Sequence, residues 1–123
     1  MSEVAKLLSR EDILNVKDIV TKTVSVPDWG GSVIVKGLTG AQRNVFEQSL
    51  IKGQGKSAKM NLDNAMAKLV ALTIVDADGK RLFSQADIEA LGQKSGKALA
   101  QVYTVASELS GLTEDDVEEL TKN

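Results

Sequence analysis

The strongest constraint on this chain lies between Val24 and Phe46, VSVPDWGGSVIVKGLTGAQRNVF. Two β-branched runs, Val24-Ser25-Val26 and Val33-Ile34-Val35, flank a turn cluster, Pro27-Asp28-Trp29-Gly30-Gly31, and a helix start follows at Thr39. Alternating β-branched residues around a Pro/Gly turn predict an antiparallel hairpin, roughly Thr23–Val26 against Ser32–Lys36. Val24, Val26, Val33 and Val35 belong on one face, which must dock on helices because an isolated two-stranded ribbon is marginal in water. Thr39 and Gln42 have capping-box spacing, so the hairpin feeds a helix that ends near Lys52.

The rest of the chain reads as helix. Ser9 and Asp12 open a short helix through Ile13, Leu14 and Val16. Leu62 to Val75 reads as a helix whose apolar residues wrap nearly the whole circumference after Lys68, as in a buried central helix. Asp76-Ala77-Asp78-Gly79 is a turn, Arg81-Leu82-Phe83 a short extended piece, and Ser84 with Asp87 caps a helix that Gly92 stops. A longer helix from about Gln93 to Ser110 carries the stripe Leu99, Val102, Tyr103, Ala106 and Leu109, with Gly111 beyond its end. Thr113 starts a last, acidic helix. The aromatic residues number only four, Trp29, Phe46, Phe83 and Tyr103, so the core is aliphatic. The predicted fold is therefore mostly α (α+β): a single compact helical domain over 1–123 with one small antiparallel hairpin near 22–36. Residues 52–60, polar and lysine-rich, read as a flexible loop.

Several chemistries are disfavoured. Cys and His are both absent, which removes thiolate nucleophiles and the commonest general base and metal ligand. Gly55-Lys56-Ser57 resembles the end of a phosphate loop, but Leu50 stands where that loop needs glycine and a helix precedes it. Asp76-Ala77-Asp78-Gly79 resembles a calcium loop, but the first and twelfth positions would be Ile74 and Gln85. No catalytic residues, metal site or cofactor are expected. A net charge of −2 and the lack of a basic-aromatic platform argue against nucleic acid. No apolar run approaches the length of a membrane span, so a soluble, cytosolic chain is expected. Residues 1–60 hold nine Lys/Arg against six Asp/Glu, and residues 61–123 hold six against eleven; such opposite balances favour weak homo-oligomerisation. Trp29, at a glycine-flanked tip, either folds onto the core or projects as an anchor for a partner.

The hairpin with Asp28-Trp29-Gly30-Gly31 leading to Leu38-Thr39-Gly40 carries a resemblance. So do the segment Leu82-Phe83-Ser84 after an Asp-Gly turn and the closing Lys122-Asn123. Together they make the chain similar to tail assembly chaperones of long, non-contractile-tailed bacteriophages. That resemblance implies an assembly factor and no enzyme. It would coat the phage tape measure protein, prevent its aggregation and help recruit the major tail tube protein. It would act in the host cell cytoplasm and be absent from the finished virion. The family is commonly made in two lengths by ribosomal frameshift. Its short form often continues past a position like Asn123, so either a short member or a truncated one fits. The candidate protein-binding residues are Trp29, Pro27, Gly30 and Gly31 at the hairpin tip, and Lys52, Lys56 and Lys59 in the loop. The competing reading is a small regulatory or adaptor domain that binds one folded protein.

Overall fold

The computed structural model describes residues 6–52, 59–60 and 62–112. Strand β1, Thr21–Val26, pairs antiparallel with β2, Gly31–Lys36, in a register that sets Val24 opposite Val33 and Thr21 opposite Lys36. Pro27–Trp29 form one 3-10 turn, and Gly30 closes it at φ +76°, a left-handed conformation open to glycine without steric cost. Side chains alternate across a sheet, so the four valines share a face: Val26, Val35 and Val24 are buried and Val33 is half-buried against the core.

The sheet has a third strand that the sequence reading missed. Helix α3, Ala65–Thr73, stops two residues short of Val75, and Ile74–Val75 form β5, paired antiparallel with β2. A continuous apolar run does not by itself distinguish buried helix from buried strand. Here the run ends in three β-branched residues, Thr73-Ile74-Val75, beside the open edge of β2. The Thr73 hydroxyl bonds back to the Leu69 carbonyl at 2.8 Å, which satisfies the one buried polar side chain among the described residues. Asp76 then builds the turn, its Oδ1 accepting from the Asp78 and Lys80 amides with Gly79 at φ +82°. The turn returns the chain along β5, with Arg81 bridging Val75; it does not close the preceding helix.

Helix α2, Gly40–Ser49, starts at the expected box: the Gln42 amide donates to Thr39 Oγ1 at 3.1 Å, and the Thr39 amide donates to Gln42 Oε1 at 3.0 Å. It ends before Lys52. Leu50 is the C-cap, and Ile51–Lys52 (β3) pair with Lys59–Met60 (β4). The ends of the segment expected to be a flexible loop are thus joined by a ladder; residues 53–58 lie outside the described residues. Helix α4, Ile88–Leu91, follows a 3-10 turn capped by Ser84 and Asp87. Helix α5 spans Gly96–Leu109, capped by Ser95, and starts three residues later than the sequence reading placed it. The Leu112 amide reaches the Ser107 carbonyl and the Gly111 amide the Glu108 carbonyl, with Gly111 at φ +69°. These are the paired bonds of a Schellman ending. The expected acidic helix from Thr113 lies outside the described residues.

The core sits between the valine face of the sheet and helices α3 and α5, with Phe46 and Leu50 entering from α2. Helix α5 crosses β1 and β2 and packs on α3. Gly37 makes this possible, because a Cβ there would stand 2.7 Å from the Leu109 carbonyl oxygen. The first helix, α1 at Arg10–Asn15, has the expected Ser9–Asp12 box but buries none of its residues. No helix among the described residues is long and apolar enough to cross a membrane.

Candidate functional site

The hairpin tip is clamped to the start of α5. Ser95 Oγ donates to Asp28 Oδ2 at 3.3 Å, and Gln101 Nε2 donates to the Ser25 carbonyl at 2.7 Å. This fixes Trp29, which is half-buried and packed against the core. Its Nε1 is buried and makes no hydrogen bond among the described residues. An orphaned donor of this kind costs free energy unless an acceptor arrives.

The exposed part of the indole lines a groove of about 400 Å³ with Phe83, Asp87, Ala90, Leu91 and Lys94. Each wall has a local cause. The turn at Asp76 and the bridge to Val75 bring Phe83 alongside the sheet. The carboxylate of Asp87 is committed to the cap, accepting from the Ser84 amide at 2.8 Å and the Ser84 hydroxyl at 3.2 Å. That cap aims α4, so Leu91 closes the floor while Ala90 stays exposed at the rim. Lys94, just past α4, is left as the basic border of an otherwise apolar surface.

The sequence-predicted residues divide. Pro27, Trp29, Gly30 and Gly31 sit together at the tip, with Pro27 and both glycines exposed and nothing within 4 Å of a Cβ built at either glycine. Lys52 and Lys59 are register partners in the β3–β4 ladder that follows α2; Lys56 lies outside the described residues. Sequence reasoning missed Phe83, Ala90, Leu91 and Lys94 as partners of Trp29. The scarcity of aromatics was the available signal, since two of the four meet here.

A groove walled by an indole, a phenyl ring and a leucine suits a hydrophobic side chain of another protein, and aromatic walls of this kind carry much of the energy at protein interfaces. Among the described residues no group of three or more acidic side chains is placed to hold a metal ion. The fold so defined is an α+β domain with an exposed, largely apolar groove beside Trp29.

The chain belongs to the phage tail assembly chaperone family, whose profile matches residues 10–123. Its fold is similar to that in the structure of the bacteriophage HK97 tail assembly chaperone, with a TM-score of 0.56 and 21% sequence identity over 74% of this chain and 85% of that one. At that identity the likeness concerns the fold alone. No curated protein matches the sequence.

Proposed function

We propose that this chaperone holds the phage tape measure protein through the Trp29 groove. In doing so it keeps the tape measure's apolar helical surface from aggregating and helps recruit major tail tube subunits around it. The observation that carries this reading is the groove itself: apolar, rimmed by Lys94 and Asp87, and presented at a tip anchored by Asp28 and Ser25. The contact is shallow, which suits a scaffold that has to leave. Several modest contacts made by many copies give avidity without permanence. Pro27, Gly30 and Gly31 shape the tip, while Lys52, Lys56 and Lys59 offer positive charge to acidic stretches of the target. The chain works in the host cytoplasm, has no catalytic step, departs before the tail is finished, and associates weakly with its own copies.

Co-expression with the cognate tape measure protein tests the groove. The chain should keep the tape measure soluble and co-purify with it at several copies per target. Ala90→Glu fills the groove from an exposed position, where substitutions shift stability by about 0.5 kcal/mol or less. This variant should lose most of the soluble tape measure while its melting temperature holds. Unimpaired capture by Ala90→Glu overturns the groove assignment. A strict 1:1 complex with a folded partner would favour the adaptor reading.

A further inference from the structure

The two edges of the three-stranded sheet differ. At one, β5 is only Ile74–Val75 and its own chain covers it, with Arg81 bridging Val75 and the Leu82 amide donating to the Ile74 carbonyl at 3.1 Å. At the other, β1 presents its whole length, Thr21–Val26. The phase of the β1 hydrogen bonds follows from a single contact. The Gly37 amide bonds the Val20 carbonyl, and these residues stand opposite one another when the β1–β2 register is extended by one position. Antiparallel partners alternate between bonded and non-bonded pairs, so Lys22 and Val24 direct their backbone groups to β2. Thr21, Thr23 and Ser25 turn theirs outward. A row of outward amides and carbonyls on a β-branched sequence is a template for another strand.

Two side chains oppose such pairing, one at each end of the strand. At the tip end Gln101 reaches over from α5, and its Nε2 donates to the Ser25 carbonyl at 2.7 Å. Among the described residues no other outward backbone group of β1 has a partner. Ser25 is exposed, so water would serve its carbonyl as it serves those of Thr21 and Thr23, and holding a glutamine there costs rotamer freedom. At the open end Lys22 lies by alternation on the same face as Val24 and Val26, the face that α5 covers, yet it is exposed. It makes no ion pair among the described residues. A strand laid against β1 would crowd this ammonium and strip its water without supplying a counter-charge. Charges that point inward from an edge strand resist edge-to-edge addition in this way.

We infer that Gln101 and Lys22 guard the β1 edge against strand addition by a second copy of this chain. The outward groups are self-complementary. Turned antiparallel about Thr23, two β1 strands match amide to carbonyl, close on a two-fold axis and join two three-stranded sheets into one. The guard rests on the sheet edge and does not depend on the Trp29 groove. In the many-copy role proposed above, it keeps neighbouring copies from fusing through their backbones, so that they can part.

Amide exchange and sedimentation of the purified chain test this. In the wild type the Thr23 amide should exchange at least ten-fold faster than those of Lys22 and Val24, which β2 holds. Lys22→Thr combined with Gln101→Ala removes both guards at exposed positions. Threonine suits a strand and alanine suits a helix, so circular dichroism should report an unchanged fold. The double variant should dimerise at least ten-fold more tightly than the wild type, to about 26 kDa, twice the 13.1 kDa chain, and the Thr23 amide should become protected in that dimer. Lys22→Thr alone, which leaves the bond from α5 in place, should show part of the gain. Lys17→Thr makes the same charge change in the N-terminal arm, residues 7–20, and should leave association where it was. A double variant that associates no more than the wild type, association that leaves Thr23 exchanging freely, or an equal gain from Lys17→Thr overturns the proposal. Neither measurement involves the tape measure protein, so failure of the Trp29 groove would leave this result standing, and the reverse holds as well.

Discussion

Helices α1 and α2 begin with the same device and end in different circumstances. Each has a hydroxyl N-cap and a reciprocal N3 side chain, with bonds of 3.1 and 3.0 Å in both. In α2 the cap feeds a helix that buries Phe46 and, at its C-cap, Leu50; α1 buries nothing. The capping box starts a helix wherever its residues fall, but apolar surface removed from water decides whether that helix belongs to the cooperative body. One helix is part of the core, and the other stands outside it.

The largest expected contrast lies in the side chains themselves. Phe46→Ala should destabilise the protein by about 3–5 kcal/mol, read as a lower denaturant midpoint. Leu14→Ala, measured in dilute solution, should shift that midpoint by less than about 0.5 kcal/mol. A comparable loss from both would mean that the arm packs on its own body and would erase the distinction.

The caps give a smaller and sharper contrast. Thr39→Ala should cost about 1 kcal/mol of global stability. Ser9→Ala should leave the global midpoint in place while amide exchange accelerates across residues 10–15, because the opening of α1 is local.

The smallest effect concerns pH. The Ser9 amide and then the Ser9 hydroxyl, with a further contribution from Lys6, hold the Asp12 carboxyl below the ordinary aspartate value near 3.8, against a slight opposing effect of desolvation. A depressed folded value means that the carboxylate's support of α1 is fully present above about 3.8 and is lost as pH falls through the lower folded value. Carboxyl-carbon NMR of Asp12 should show that low midpoint, and Ser9→Ala should raise it. An Asp12 that titrates at the ordinary value would leave the arm without its cap.

Much of the architecture could be read locally. The Pro27–Gly31 turn, the three capping boxes, the Asp76–Gly79 turn and the Gly111 ending each rest on residues within a few positions of one another. Their physics, a fixed proline φ, a left-handed glycine, a side chain meeting a free amide, operates without the rest of the chain. The hairpin face was legible for the same reason, since alternation alone sorts Val24, Val26, Val33 and Val35. Trp29 could be singled out, though not the groove it lines.

The sequence by itself therefore determined where elements begin and turn, and supplied the residues that carry the family likeness. Tertiary structure decided the rest, through contacts whose partners are far apart in the chain. Ile74 and Val75 became a strand because β2 offered an edge. Gly37 is needed because Leu109 approaches from 72 residues away, and Phe83 and Leu91 meet Trp29 only once α4 is aimed. An apolar side chain does not specify its neighbour, only that it gains by having one. For that reason sequence alone could not separate the core from the exposed arm, and only the assembled body did.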